Sequence, residues 1–261
     1  MNSYRWMNGL VAAVLAVWPL AIHAECRASS ADHMIAVVEL YTSEGCDSCP
    51  PADHWLSALT HGADANRAVA LAFHVDYWDR LGWRDRFGSA AFTARQHEQA
   101  QRQHEAFVYT PQILLQGGDF PAWRVPRQPA AAIAAINAKP ARATIELAAA
   151  PVDHSVTAVD VRLRVPQARD RPHAAIVVAL VQDGLASDVK AGENAGKRLA
   201  HDHVVRQWHV SDAALDAAGE AKEHLVLALP AEAGPLSVVA FAEDAATGSV
   251  LQAVSLPLCA P

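Results

Sequence analysis

The sequence predicts an α/β half followed by an all-β half, and three observations support this division. Before residue 140, apolar strand-like runs alternate with helix-like segments, which is typical of an α/β layer fold. After residue 140, helix-like segments stop and short alternating runs follow, which is typical of a β-sandwich. The pair Lys139-Pro140 stands at the change. We therefore expect one domain over residues 25–140 and a second over residues 141–261.

The elements follow from hydrophobic periodicity. In the first half, strands are predicted over residues 34–42, 69–76 and 112–116, and helices over residues 52–61, 89–106 and 129–137. Gly117-Gly118 then supplies a tight turn suited to a hairpin. In the second half, strands are predicted over residues 144–147, 156–165, 175–181, 203–210, 224–229, 236–242 and 249–256.

The first 24 residues predict a secretory signal peptide. Arg5 precedes an apolar stretch over residues 9–22, and Ala24 ends a short segment suited to cleavage. The alternative is an uncleaved anchor, but Pro19 and His23 interrupt the stretch, and a span needs roughly 18 or more apolar residues. We therefore expect a periplasmic or secreted protein with no membrane segment after cleavage.

The charge of the chain argues against polyanionic partners. The formal net charge is −7 and no run of Lys or Arg occurs, so nucleic acid and anionic membranes are poor partner candidates. The four cysteines form an even number, which in an oxidising compartment is compatible with two disulfides.

The segment Cys46-Asp47-Ser48-Cys49 is the most informative motif. It directly follows an apolar strand-like run and places two thiols one helical turn apart. A thiolate is the attacking species in disulfide exchange, and a helix N-terminus stabilises it. The motif predicts thiol-disulfide exchange with Cys46 as the nucleophile and Cys49 as the resolving thiol, in a thioredoxin-like α/β domain that precedes the all-β sandwich.

Two neighbouring features weaken the activation of Cys46. Pro50 and Pro51 favour a helix that begins only there, which leaves Cys46 outside the helix. Asp47 adds a negative charge that disfavours a thiolate. We expect a reductant-like or weakly oxidising centre rather than a strong oxidase.

Thr110-Pro111 is the second part of the predicted site. The proline opens an apolar run that precedes the Gly-Gly turn, and in thioredoxin-like folds a cis-proline at this place packs against the dithiol. The sequence therefore predicts a cis peptide bond between Thr110 and Pro111. The alternative is an ordinary proline on an edge strand.

The chain resembles the bacterial secreted proteins catalogued as domain of unknown function 1223. The resemblance rests on residues 38–53, 72–83 and 109–112, and extends into residues 192–196 and 204–206. It implies a thioredoxin-like fold and a redox site, and it names no substrate. Glu193, Asn194 and Arg206 then either contact the dithiol from the second domain or cap a surface loop.

Residues 74–79 end a predicted buried strand, where ligand-facing groups gather in open α/β sheets. His74 or Asp76 is a candidate proton carrier for the thiols, and we include Asp76 with Cys46 and Cys49 in the predicted catalytic set. For Trp78 and Trp83 we favour a packing role.

Two other functions compete with redox catalysis. Cys46 and Cys49 with His74 would form a soft site for Cu(I) or Zn(II), and His54, His104, His201 and His203 are further candidate ligands. If residues 201–203 are extended, His201 and His203 share a face. The second alternative is a non-catalytic binding module in which the pair is a structural disulfide. The redox function requires no cofactor and an unidentified protein thiol or disulfide as partner.

Cys26 and Cys259 lie near the two ends of the chain. Chain termini often lie close together in compact domains, so we predict a structural disulfide between them. The alternatives are two free thiols or an intermolecular bridge.

Overall fold

The computed structural model describes residues 25–60 and 67–259, and strand predominates over helix in this part of the chain. The strands are β1 (Cys26–Ser29), β2 (Ala36–Thr42), β3 (Ala68–His74), β4 (Gln112–Leu115), β5 (Gly118–Asp119), β6 (Thr144–Asp153), β7 (Val156–Arg164), β8 (Ala174–Gln182), β9 (Leu185–Asp188), β10 (Arg198–His201), β11 (Val204–Asp212), β12 (Glu220–Ala228), β13 (Leu236–Asp244) and β14 (Val250–Pro257). The helices are α1 (Pro50–Thr60), α2 (Ala90–Arg102) and α3 (Gln128–Asn137).

The expected fold class, an α/β thioredoxin-like domain followed by an all-β sandwich, is wrong. Strands from both halves of the chain form one eight-stranded sheet in the order β14-β13-β8-β11-β3-β2-β4-β5. The halves join where β11 runs parallel to β3, with Val204 paired to Ala72. This pairing spans more than a hundred residues and leaves no local pattern in the sequence. The predicted boundary at residue 140 stays a prediction.

A four-stranded sheet, β1-β6-β7-β12, packs on part of the large sheet and gives the protein its β-sandwich. The core between the two sheets is aliphatic and includes Leu147, Leu163, Leu180 and Leu251. Alternate residues of β8 explain why this strand is buried throughout: Leu180 faces the sandwich core, and Val181 lies on the opposite face.

The helices cover both faces of the large sheet. Ala52 and Leu56 of α1 pack with α3 against Val38 and Leu40 of β2. On the opposite face, Phe92 of α2 packs against Phe73 at a centroid distance of 5.3 Å. The central strands β2 and β3 are therefore buried on both sides, as strands in covered parallel sheets usually are.

The predicted disulfide between Cys26 and Cys259 is confirmed. It spans 233 residues, with the two Cα atoms 5.9 Å apart. It attaches β1 to the residues that follow β14.

The predicted signal peptide lies outside the described residues. Among the described residues, none of the helices has the length and apolar character needed to span a membrane.

Candidate functional site

Parallel pairing of β2 and β3 creates the candidate site. Thr42 pairs with His74 at the carboxyl ends of the two strands. The loops that follow these strands therefore emerge side by side, at the sheet edge where parallel α/β arrangements place ligands. The first loop carries the Cys46 motif, and the second carries Asp85.

Cys46 and Cys49 form a disulfide within the loop between β2 and α1. Their Cα atoms are 5.4 Å apart, and both residues are fully buried. The helix begins at Pro50, so Cys46 lies outside it, as the two prolines predicted. The carbonyl of Cys49 accepts hydrogen bonds from the N–H groups of Ala52 (2.8 Å) and Asp53 (3.2 Å), which fixes Asp53 one turn below the disulfide.

The predicted cis peptide bond between Thr110 and Pro111 is confirmed. Both residues line a groove of about 290 Å³ together with Ser48 and Trp123. Ser48 is the exposed residue that precedes Cys49 in the motif. The cysteine turn and the cis-proline therefore face the same groove, although each cysteine is itself covered.

Two tryptophans hold the loops around this groove. The indole N–H of Trp78 donates to the Thr110 hydroxyl at 2.7 Å. A Cβ atom placed on Gly45 would lie 3.0 Å from the Cβ of Trp78, so the cysteine loop packs closely against this residue. Trp83 donates to Glu44 Oε2 at 2.7 Å. Both tryptophans therefore form polar contacts at the site in addition to their packing.

The loop between β9 and β10 contacts the cysteine loop directly. Asn194, which is fully buried, donates through Nδ2 to the carbonyls of Glu44 (2.9 Å) and Cys46 (2.8 Å). The N–H of Asp47 donates to Glu193 Oε2 at 3.0 Å. The sequence left open whether Glu193 and Asn194 contact the dithiol loop or cap a surface loop. Both residues contact the dithiol loop.

Asp76 and Arg206 point elsewhere. Asp76 Oδ1 accepts a hydrogen bond from the Thr93 hydroxyl of α2 at 2.6 Å. Arg206 donates to Gln182 Oε1 at 2.5 Å. The catalytic role of Asp76 stays a prediction, and its hydrogen bonds connect it to α2.

A buried polar cluster lies beneath the cysteine loop. It comprises Asp53, His74 and His201, each of which has a potential ligand atom within 4.8 Å of those of the other two. The imidazole rings of His74 and His201 meet edge to face at 4.9 Å, and Thr42 Oγ1 donates to Asp53 Oδ2 at 3.1 Å. We call these three residues the His–Asp cluster.

Two further carboxylates surround the His–Asp cluster. Asp85 Oδ2 lies 2.7 Å from His74 Nδ1 and also accepts the N–H of Glu44 at 2.9 Å. Glu44 Oε1 lies 3.3 Å from His201 Nε2. All five side chains are buried.

Burial and mutual contacts shift the pKa values of this group. Burial raises the pKa of Asp53. For His74, burial opposes the charged form, but the Asp85 carboxylate outweighs it and raises the pKa. Burial also opposes ionisation of Asp85 and Glu44. Contact with His74 nevertheless lowers the pKa of Asp85 to about 2, and the contact with His201 lowers that of Glu44.

Asp53 was not among the site residues predicted from the sequence, and the condition on which His201 and His203 would share a face is not met. Asp53 lies in the first turn of α1, four residues after Cys49, so its closeness to the motif along the chain was the available signal. His201 ends β10, whereas His203 lies in the turn before β11 with φ 57°. The two histidines therefore do not share a strand face.

The predicted copper set is not assembled in this state of the protein. Cys46 and Cys49 are joined as a disulfide, which offers no thiolate to a metal. His74 lies with Asp53 and His201. A copper site at the cysteines would need the reduced pair, and copper stays a prediction.

A family model supports the resemblance found in the sequence. The model described as protein of unknown function (DUF1223) matches residues 37–242. The chain belongs to this family. No curated protein matches the chain.

Two solved structures are similar over most of the chain. A structural-genomics target protein from Agrobacterium tumefaciens has 26% identity and a TM-score of 0.60, and the match covers 87% of this chain and 96% of that protein. HBP35 of Porphyromonas gingivalis has 14% identity and a TM-score of 0.67, over 87% of this chain and 76% of its own. The second similarity concerns the fold alone.

Proposed function

We propose that this DUF1223 protein exchanges disulfides with a partner protein through Cys46 and Cys49. One observation carries the proposal: Ser48, between the two cysteines, lines the same groove as the cis Thr110–Pro111 bond. An extended segment of a partner lying in this groove would pass beside both the cysteine turn and Thr110.

The exchange proceeds through a mixed disulfide. Starting from the oxidised form, a partner thiolate attacks the sulfur of Cys46, the bond to Cys49 breaks, and Cys49 leaves as a thiolate. A second partner thiolate attacks the partner's own sulfur in the mixed disulfide. The partner is then oxidised by two electrons and Cys46 leaves as a thiolate. The same steps in reverse reduce a partner disulfide.

Local charge favours the disulfide over the thiolate. Cys46 lies outside α1, and the carboxylate of Glu193 reaches the N–H of Asp47 beside it. Two carboxylates near the sulfur oppose a thiolate. We expect a weakly oxidising or reductant-like centre, and a potential close to that of a strong periplasmic oxidase would contradict this.

The alternative is a structural disulfide, which the burial of both cysteines favours. Titrating the protein with dithiothreitol and assaying turnover of a fluorogenic disulfide peptide distinguish disulfide exchange from a structural disulfide. The proposed function predicts reversible reduction of one disulfide and turnover, and a structural bridge predicts neither. A Cys49→Ser variant should trap a mixed disulfide with its partner in cells, whereas a Cys26→Ser/Cys259→Ser double variant should not.

We also propose an extracellular or periplasmic location. The protein has two disulfides, which persist mainly in oxidising compartments. Fractionation of cells that express the full chain tests this, together with N-terminal sequencing for cleavage after Ala24.

A further inference from the structure

We propose that Asp53, His74 and His201 bind one divalent transition-metal ion, of the class represented by Zn²⁺, in the interior beneath the cysteine loop. This site is separate from the proposed disulfide exchange. It needs neither cysteine, and it forms while Cys46 and Cys49 are oxidised.

The ligand types match such an ion. Two imidazoles and one carboxylate form a common first shell for catalytic zinc and for other first-row divalent metals. The three ligand atoms lie within 4.8 Å of one another. Tetrahedral bonds of 2.0–2.1 Å bring ligand atoms to about 3.4 Å apart, so binding requires small rotations of the side chains.

Unsatisfied atoms point to a missing partner. His74 Nε2 and His201 Nδ1 are buried without a hydrogen bond, and Glu44 Oε1 and His201 Nε2 form none except for their own contact at 3.3 Å. Buried polar atoms are normally paired, because leaving one unpaired costs free energy. A single cation held by His74 Nε2, by one ring nitrogen of His201 and by Glu44 Oε1 would give three of these four atoms a partner.

The surroundings of His74 are those of a metal ligand. Asp85 Oδ2 lies 2.7 Å from Nδ1, which fixes a proton on that nitrogen and leaves the lone pair on Nε2. Metal-bound histidines usually have such a carboxylate on the second nitrogen. Thr42 orients Asp53 in the same way, through its hydrogen bond to Oδ2.

The charge balance also favours a cation. Glu44, Asp53 and Asp85 bring three carboxyl groups into a buried space with two histidines, and unpaired buried charges are costly. A divalent ion offsets this charge while both histidines are neutral. Glu44 Oε1, which is 3.3 Å from His201 Nε2, is a candidate for a fourth ligand.

The test uses the full mature chain without a histidine tag, with both disulfides closed. The protein is refolded in the presence of Zn²⁺ or Co²⁺ and dialysed, and bound metal is then counted by mass spectrometry and by the visible bands of Co²⁺. We expect one ion per chain with tetrahedral-type cobalt bands. His201→Gln and Asp53→Asn should each weaken Zn²⁺ binding by more than about 100-fold, and Asp85→Asn by about 10–100-fold.

His224→Gln is the matched control. His224 is an exposed histidine that also contacts a carboxylate, Asp160, at 2.8 Å, and its loss should leave binding unchanged. Circular dichroism confirms that each variant is folded, and Asp53→Asn keeps the side-chain shape if His201→Gln fails to fold.

Three results would overturn the proposal: no stoichiometric metal in the refolded wild-type protein, full binding in both ligand variants, or loss of binding in a Cys46→Ser/Cys49→Ser variant. Because binding is measured with the disulfide closed, failure of the redox assay leaves this result unaffected.

Discussion

Two buried polar clusters lie on opposite faces of the large sheet, and they differ in how their atoms are paired. The first, which we call the Arg95 cluster, consists of Arg95 on α2, Glu39 on β2 and Glu243 on β13. The second is the His–Asp cluster on the side of α1. Both are almost completely buried, yet only the first is self-sufficient.

The Arg95 cluster uses its hydrogen-bonding capacity within the protein. Arg95 forms two parallel bonds of 2.9 Å to Glu39 and one of 3.1 Å to Glu243. Tyr41 donates to Glu39 at 2.9 Å. The guanidinium also lies 4.3 Å from the ring centroid of Trp208, within the range of a cation–π interaction.

The His–Asp cluster is less completely paired. His74 Nε2 and His201 Nδ1 are buried without a hydrogen bond, and the neighbouring Glu44 Oε1 has only its contact with His201 Nε2 at 3.3 Å. A fully paired buried network can fix one packing of helix on sheet. The comparison therefore supports a structural role for the Arg95 cluster and the proposed binding role for the His–Asp cluster.

Removing Arg95 should have the largest effect on stability. Arg95→Met leaves the carboxylates of Glu39 and Glu243 buried without their main partner, which costs about 3–5 kcal/mol in comparable cases. Urea unfolding measures this loss in the free energy of unfolding. The control is Arg198→Met, because Arg198 and Asp188 form an exposed pair at 3.3 Å whose loss should cost less than about 1 kcal/mol. Equal losses in the two variants would contradict the comparison.

Zinc should stabilise the protein through the His–Asp cluster only. At a free concentration 100 times Kd, the ion adds about 2.7 kcal/mol to the free energy of unfolding if it binds only the folded state. Asp53→Asn should abolish this gain, whereas Arg95→Met, although less stable, should keep it. Thermal unfolding with and without Zn²⁺ measures the gain in stability of each variant. A gain that survives Asp53→Asn would assign the metal to another place.

Asn194 connects the His–Asp side to the cysteine loop, and its loss should have an intermediate effect. Asn194→Ala removes the donor to the carbonyls of Glu44 and Cys46. The Cys46 carbonyl still accepts the N–H of Cys49 at 3.3 Å, so one buried acceptor is left unpaired, at a cost of about 1–3 kcal/mol. We expect dithiothreitol to reduce Cys46–Cys49 faster in this variant, because the loop opens more readily. An unchanged rate, measured by thiol labelling, would show that Asn194 does not control access to the disulfide.

Local features were predictable from the sequence, and long-range pairing was not. The strand over residues 69–76 was predicted within about two residues of β3, and Cys46, Pro111 and Cys259 could be read from motifs and position. The fold class failed because β11, from the second half of the chain, pairs with β3 of the first half and so joins both halves in one sheet. His201 reaches His74 only through that same pairing, so no spacing in the sequence revealed the His–Asp cluster.

The smallest expected effect is on tyrosine ionisation at alkaline pH. It distinguishes Tyr41, which lies in the Arg95 cluster, from Tyr109, which lies nearer the surface. Burial and the neighbouring Glu39 raise the pKa of Tyr41 well above its ordinary value, whereas burial and the Asp119 carboxylate raise the pKa of Tyr109 to about 12. Since the folded pKa exceeds the unfolded one, the contribution of Tyr41 to stability is complete below about pH 10 and declines above it. In folded protein at pH 12, Tyr109→Phe should remove about half of one tyrosinate from the absorbance at 295 nm. Tyr41→Phe should remove none, and a measurable loss in that variant would mean that the Arg95 cluster is open to solvent.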